Sequence, residues 1–456
     1  MRSKLLAHAV AVGFCAVLSV PVQAQTPPAC AAKANWLPHS KTPKPNSATF
    51  PGPPAGTPVT NCAFHQWSWN AFLWLTQNVK GKPRFESFTQ TGIQTEPKTF
   101  NPMIGRSAKA ETLDIIGQAG PDGIMVDLQG HPIYYSIYSD EIFGNFIKKN
   151  GLLNPAKLGA FDPNAEFPVG SLTLKAAWKI VNPGEDVSTF YTRKAQVAPL
   201  AVENGRIVIV KDGKPLDVTV ALVGFHVAGA VKNHPEMIWA TFEHIGNAPD
   251  IPKPVNSMGP NDIVSDKNWT FYKANTPFKD CNINAAGAGA LTLDAAKQTL
   301  GPVTQVCRII PWGGGNQMNI DNIKALNASV QTLFEQKDAK SVWKNYFEVG
   351  AIWFSVANGL KPNCTFQPGS LSCARPSGGP TSSILTGSTQ LSNTTVETFT
   401  QSQSAQDNCF ACHNTVQVTS PSPTVPALPG LNVDISHVLI NEYFKAAGQK
   451  PPSRKP

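Results

Sequence analysis

Five consecutive residues near the C-terminus, Cys409-Phe410-Ala411-Cys412-His413, constrain this chain more than any other stretch. The spacing C-x-x-C-H is that of a covalent attachment site for haem c. Two thiols on one turn can each add to a haem vinyl group. The adjacent imidazole then ligates the iron through a neutral nitrogen. A redox-active iron fixed near the C-terminus is the expectation around which the remaining sequence has to be read.

The N-terminus agrees with that expectation. Met1-Arg2-Ser3-Lys4 precedes an apolar run from Leu5 to Val20, and Val22-Gln23-Ala24 follows. A basic start, an apolar middle and a small-residue cleavage site predict a secretory signal over residues 1–24. The apolar run is too short for a retained anchor, and no other apolar stretch approaches a bilayer span. No integral membrane span is therefore expected after signal removal. Bulky Phe14 before Cys15 makes a poor lipid-attachment signal. Haem c is attached on the outer side of a bacterial cytoplasmic membrane, so a periplasmic or secreted location follows from both features.

Cysteine usage fits an exported chain. Of the 9 cysteines, Cys15 lies in the signal and Cys409 and Cys412 in the haem motif. Cys30, Cys62, Cys281, Cys307, Cys364 and Cys373 remain, an even set that predicts three disulfides. The pairing of sequence neighbours, Cys30 with Cys62, Cys281 with Cys307 and Cys364 with Cys373, is the expected one because it closes local loops. Buried free thiols are the alternative.

Composition adds exclusions. A net charge of +8 over 456 residues is a mild excess, and no Lys/Arg run carries interleaved aromatics, so nucleic-acid binding is not expected. A redox partner protein is the expected partner, and a small-molecule ligand remains compatible with so large a body.

The chain divides into the signal (1–24), an extended Pro-rich arm (25–60), a body (61–375), and a linker with the C-terminal haem c segment (376–456). Phe64 to Leu75 predicts a helix, apolar nearly all round and so buried. Ile124–Asp127 and Ile133–Tyr138 predict a hairpin around Gly130, and Asp140–Lys149 a short helix. Leu172, Leu174, Ala176, Trp178 and Ile180 alternate with polar residues as in a half-buried strand. Ile207–Val210 and Leu216–Val223 flank Asp212-Gly213, a second hairpin signal. Met237–Phe242 is a strand or a helix. Helices are expected over Leu293–Leu300, capped by Thr292, from Asp321 through Phe334, through Val342–Phe347, and over Ile435–Ala447. Strands in the middle and helices around them predict an α+β fold: a large body with a mainly antiparallel β core and surrounding helices, plus a short C-terminal haem-bearing segment.

Two other chemistries use paired cysteines. A zinc site needs four ligands, and no second paired Cys/His cluster stands at finger spacing. A thioredoxin-like pair needs a β-α-β setting, which this Ser/Gln/Thr-rich stretch lacks. Within the haem reading, His413 is the proximal ligand. No methionine follows it, and His437 is the one histidine downstream, hence either the candidate distal ligand or a surface or packing residue beside Leu439 and Tyr443. Upstream candidates are His65, His131, His226, His234, His244, Met237 and Met318. The segment from Gly224 to His244 is dense in titratable and aromatic residues. It reads either as a pocket wall with His226, Glu243 or His244 moving a proton, or as a core element with satisfied polar groups. Gly313-Gly314-Gly315 lacks the lysine of a phosphate loop and reads as a turn.

Three segments resemble exported bacterial mono-haem "cytochrome c family" proteins of undefined role. They are Ser171 to Lys179, Val223-Gly224-Phe225-His226 through Trp239-Ala240-Thr241-Phe242-Glu243-His244, and Asn393 to Phe399 together with the haem motif. The resemblance implies a single haem c held against a large non-haem body, and carries no catalytic residues. The expected function is electron transfer by a mono-haem c-type cytochrome. A peroxidase- or oxygenase-like haem enzyme and a ligand-binding protein with a haem tail are the alternatives.

Overall fold

The computed structural model describes residues 30–45, 61–90, 112–113, 116–117, 119, 123–210, 213–366, 384–401, 408–419 and 425–446. The expected signal, Cys15, Asp212 and Cys373 lie outside the described residues. The fold is α+β, as the sequence implies. One 9-stranded sheet organises it, in the order 385–387, 346–354, 234–244, 216–231, 172–180, 134–139 and 89–90. Strand Thr192–Val197 pairs with the first part of Leu216–Val231, and Thr112–Leu113 adds to it in parallel. All other pairings in this sheet are antiparallel.

The helices are α1 (Cys62–Thr76), α2 (Glu141–Asn150), α3 (Pro155–Gly159), α4 (Gln317–Lys337), α5 (Cys409–Cys412) and α6 (His437–Ala446). Helix α1 lies on one face of the sheet, where Phe72 stacks on Phe242 with ring centroids 4.4 Å apart and Trp69 meets the same ring edge-on. Its all-round apolar surface is explained by burial between the sheet and α4, whose Asn327 Oδ1 accepts the Trp69 indole N–H at 2.8 Å. The Cys30–Cys62 disulfide clamps residues 30–45 to the start of α1, and Trp36 in that segment is buried. Closing a loop with a sequence separation of 32 is worth about 3–4 kcal/mol in the chain-entropy account.

The opposite face has two covers. Residues 388–401 cover one end: Ser392, Asn393, Thr394, Thr395 and Thr398 are fully buried, although their composition resembles a linker. They close so tightly on Gly224 that a Cβ there would collide with Thr395 Oγ1. The haem-motif segment covers the other end, with Phe410 packed on Phe354 at 4.8 Å. A strand buried on both faces loses the signature of half-burial, and Leu172–Ile180 is accordingly buried almost throughout, Lys179 included.

Several local expectations fail for identifiable reasons. Arg206–Ile209 pairs with Leu200–Glu203 around Asn204-Gly205, not with Leu216–Val231. Both turns carry a hairpin signal, and only the pairing chooses between them. Residues 292–301 form a hairpin, Thr292–Asp294 with Thr299–Gly301, where a helix was expected. The Asp294 carboxylate accepts the amides of Ala296 and Lys297 and bends the chain into a turn. Helix α4 starts at Gln317, capped by Asn316, ahead of the expected Asp321. The expected helix through Val342–Phe347 is one 3-10 turn, after which Tyr346–Phe354 enters the sheet. Ile124–Asp127 contributes a single bridge, Val126 to Pro132, to a tight turn. Trp312 and Gly313 to Gly315 all have positive φ, which makes this stretch a turn as read.

Of the three expected disulfides, Cys30–Cys62 is present. Cys364 is disulfide-bonded, and its expected partner Cys373 lies outside the described residues. Cys281 and Cys307 depart from the expectation: they face each other as buried thiols, not as a bridge. The hydrogen bond to Cys281, reinforced by burial, pushes the Cys307 thiol far above its usual range. A thiol held protonated and out of water reacts poorly. Alkylation of the native protein is therefore expected to spare both, and alkylation after unfolding to label both. Failure to label the unfolded, unreduced protein would show that the pair is a disulfide after all.

Candidate functional site

The C-x-x-C-H motif forms the single turn α5. Asn408 caps it by accepting the Ala411 amide, and His413 N donates to Cys409 O at 2.8 Å. One side of the turn, Phe410 and Ala411, is buried against the sheet, while Cys409, Cys412 and His413 are half-buried. Neither motif cysteine is joined in a disulfide. The following residues anchor the turn to the body: Thr415 Oγ1 accepts Cys364 N at 2.9 Å, and Thr415 N donates to Cys364 O at 3.1 Å.

His413 is fixed from two directions. Its Nδ1 lies 2.9 Å from Ile435 O, and its ring packs on Trp239 with centroids 4.0 Å apart. A carbonyl accepts only from N–H, so the neutral imidazole carries its proton on Nδ1 and its lone pair on Nε2. Trp239 is itself held by its indole N–H, which donates to Glu236 O at 2.8 Å. The backbone between them turns through Met237 at φ 69°, a left-handed conformation inside a strand that re-aims the next side chains.

These features fit haem c. Two cysteines share one turn, the next residue is an imidazole oriented by a backbone carbonyl, and that orienting bond is the usual outer partner of a metal-ligating histidine. Among the described residues no group of three or more His, Cys, Asp or Glu is placed to hold a metal ion by itself.

The other candidates are distributed unevenly. His437 lies face to face with His413, with centroids 4.1 Å apart and an interplanar angle of 22°, and its Nε2 is 3.0 Å from Cys412 O. In this arrangement the two rings lie side by side, so His437 packs along the face of His413. His65 is buried with Glu348 at 2.8 Å, and His234 pairs with Glu236 at 2.8 Å. His244 stacks on Phe190 at 3.6 Å, where burial pulls its imidazole down to about 4. Glu243 ion-pairs with Arg308 at 2.7 Å and accepts the Thr394 amide at 2.9 Å, so it serves the 388–401 cover. His131 sits in the turn bonded to Asp127, Met237 is buried in an apolar cluster, and Met318 is exposed at the start of α4.

His226 belongs to a polar row on the sheet face that it shares with Trp239. Strand register places Lys175 opposite His226, and His226 opposite Thr241. His226 Nε2 lies 2.8 Å from Glu397 Oε1. Lys175 Nζ stands over the Tyr135 ring at 5.0 Å. Burial draws the Lys175 ammonium down to about 8, against the opposing pull of Glu397 and of the Cys412 and Cys409 thiols. Lys175 and Glu397 were not singled out from the sequence. Each lies in a segment quoted for the resemblance, but only the sheet register puts them next to the motif. No protein-family model, curated protein or solved structure matches the chain.

Proposed function

We propose that this chain is an exported mono-haem c-type cytochrome. It binds one haem covalently through Cys409 and Cys412, ligates the iron through His413, and passes electrons to a redox partner protein. The observation that carries the reading is the C-x-x-C-H turn with His413 oriented by Ile435 O, 2.9 Å from Nδ1. Export is supported by the signal-like N-terminus and by the Cys30–Cys62 disulfide, which belongs to an oxidising compartment. Among the described residues no helix is long and apolar enough to cross a membrane.

Bound haem supplies one-electron chemistry. The residues of this chain set its surroundings. Ile435 O raises the basicity of His413 by taking its Nδ1 proton in a hydrogen bond. Trp239 and His437 hold the ring plane from its faces. Phe410, Phe354 and Trp239 supply the apolar packing against which the motif turn is seated. The test is expression in cells that mature c-type cytochromes, followed by denaturation and acid-acetone extraction. Colour that stays with the polypeptide, and a mass increase of one haem, is the expected result. A colourless polypeptide of unmodified mass overturns the reading.

A further inference from the structure

We propose that His226, held by Glu397, is the second axial ligand of the haem iron; the inference rests on covalent haem at Cys409 and Cys412. The argument begins with one face of the sheet. Trp239, which packs on His413, shares that face with Thr241, because alternate residues of a strand point the same way. His226 is directly opposite Thr241, and Lys175 directly opposite His226. The motif thiols lie within electrostatic reach of that same Lys175. His413 packs on Trp239, and His226 follows on the same sheet face of the neighbouring strand, beside Lys175.

This patch is the seam between the two covers. Beyond it in one direction, residues 393–396 close on Gly224, and in the other Phe410 closes on Trp239 and Phe354. Both flanks are apolar or fully hydrogen-bonded, yet the seam carries an imidazole, a carboxylate and an ammonium on a sheet that is otherwise buried here. The His226 Nε2 atom is shielded from solvent and lies 2.8 Å from Glu397 Oε1. Glu397 itself is fixed by Asn393 N, which donates to Oε2 at 3.1 Å. A carboxylate beside one nitrogen of an imidazole is the recurrent outer support of a metal-ligating histidine, and it assigns the other nitrogen, Nδ1, to the metal. The rings of His65, His234 and His244 are engaged elsewhere, and Lys175 must shed a proton before it can ligate, whereas imidazole ligates in its neutral form.

The experiment uses the full-length, haem-loaded protein and its His226→Ala, His226→Met and Lys175→Met variants, read by absorption spectra with and without CO and by intact mass. The wild type is expected to be low-spin and six-coordinate in the ferric state, and unreactive to CO when reduced. His226→Ala should become high-spin and bind CO with one covalent haem retained, and added imidazole should restore the low-spin spectrum. His226→Met should stay six-coordinate with a higher midpoint potential, since thioether ligation raises it; this variant covers the case in which alanine fails to fold. A low-spin His226→Ala protein overturns the proposal, as does a high-spin wild type or loss of the low-spin state only in Lys175→Met. A wild type whose mass lacks haem overturns the underlying reading, a result distinct from haem retained with an unaltered spin state.

Discussion

The Cys409→Ala/Cys412→Ala double variant is expected to lose covalent haem completely while keeping the fold. Each thioether bond needs its own sulfur, so no polypeptide-bound haem should survive denaturing extraction. Retention of the fold follows from how α5 is held. Phe410 and Ala411 make the buried contacts, Asn408 caps the turn, and Thr415 ties the segment to Cys364, whereas both motif cysteines are half-buried. Small substitutions away from buried polar networks change stability little, about 0.5 kcal/mol at surface sites, and a value near that is expected here. Intact mass after denaturation and urea unfolding of the haem-free forms check the two halves of the prediction. Haem that remains bound to the denatured double variant would show that attachment lies elsewhere.

The largest loss of stability is expected at a site far from the motif. His65 on α1 has Nδ1 2.8 Å from Glu348 Oε1 and Nε2 2.8 Å from Asn319 Oδ1, and all three side chains are fully buried. The triad joins α1, α4 and the strand Tyr346–Phe354, so it pins the helical layer to the sheet. Both ring nitrogens face acceptors, which favours the imidazolium. Burial alone would lower the His65 value, but the Glu348 charge and the two hydrogen bonds outweigh it and raise it. Replacing His65 by alanine leaves a buried carboxyl without its cation, at a cost of about 3–5 kcal/mol. The His65→Ala/Glu348→Ala double variant should be less damaged than the sum of the single ones, and a urea-denaturation cycle measures the difference. Additive losses would remove the pair from the account.

The pH dependence has a definite sign. His65 is raised above its ordinary value of 6.5, and burial raises Glu348 above 4.5. Both shifts mean that the native state binds protons more tightly than the unfolded chain does. The His65 contribution is fully present below 6.5 and is lost as pH rises through its raised native value. The Glu348 shift acts in the same direction, with stability falling as pH rises above 4.5. Midpoints of urea unfolding that decline across this range in the wild type, and decline less in the double variant, are the expected result.

Much of the architecture was legible where local and tertiary forces agree. The aromatic density of Phe64–Leu75 marks α1, and Asp140 followed by an amphipathic stretch marks α2, which the same aspartate caps through the Phe143 amide at 3.0 Å. Reading failed where several local signals compete and only pairing decides. Asn204-Gly205 and Asp212-Gly213 are both turn signals, and the partner of Arg206–Ile209 follows from which strand lies alongside. It failed again at 388–401, because Ser and Thr satisfied by hydrogen bonds bury as well as apolar residues do, and composition cannot register those bonds. The thiols of Cys281 and Cys307 were correctly brought together, but proximity is not a bond.

By itself the sequence determined the C-x-x-C-H turn, because two cysteines at fixed spacing on one helical turn need no distant partner to be brought together. It also determined the mixed class of fold, through hydrophobic periods that are local properties of each segment. The tertiary structure alone decided what stands beside the motif. Trp239, His226, Lys175 and Glu397 come from three strands and one loop, and they meet only through cross-strand register and the closing of residues 393–397 over Gly224. The side-chain alternation of a single strand says which residues share a face, but not which neighbouring strand, or which cover, that face will meet.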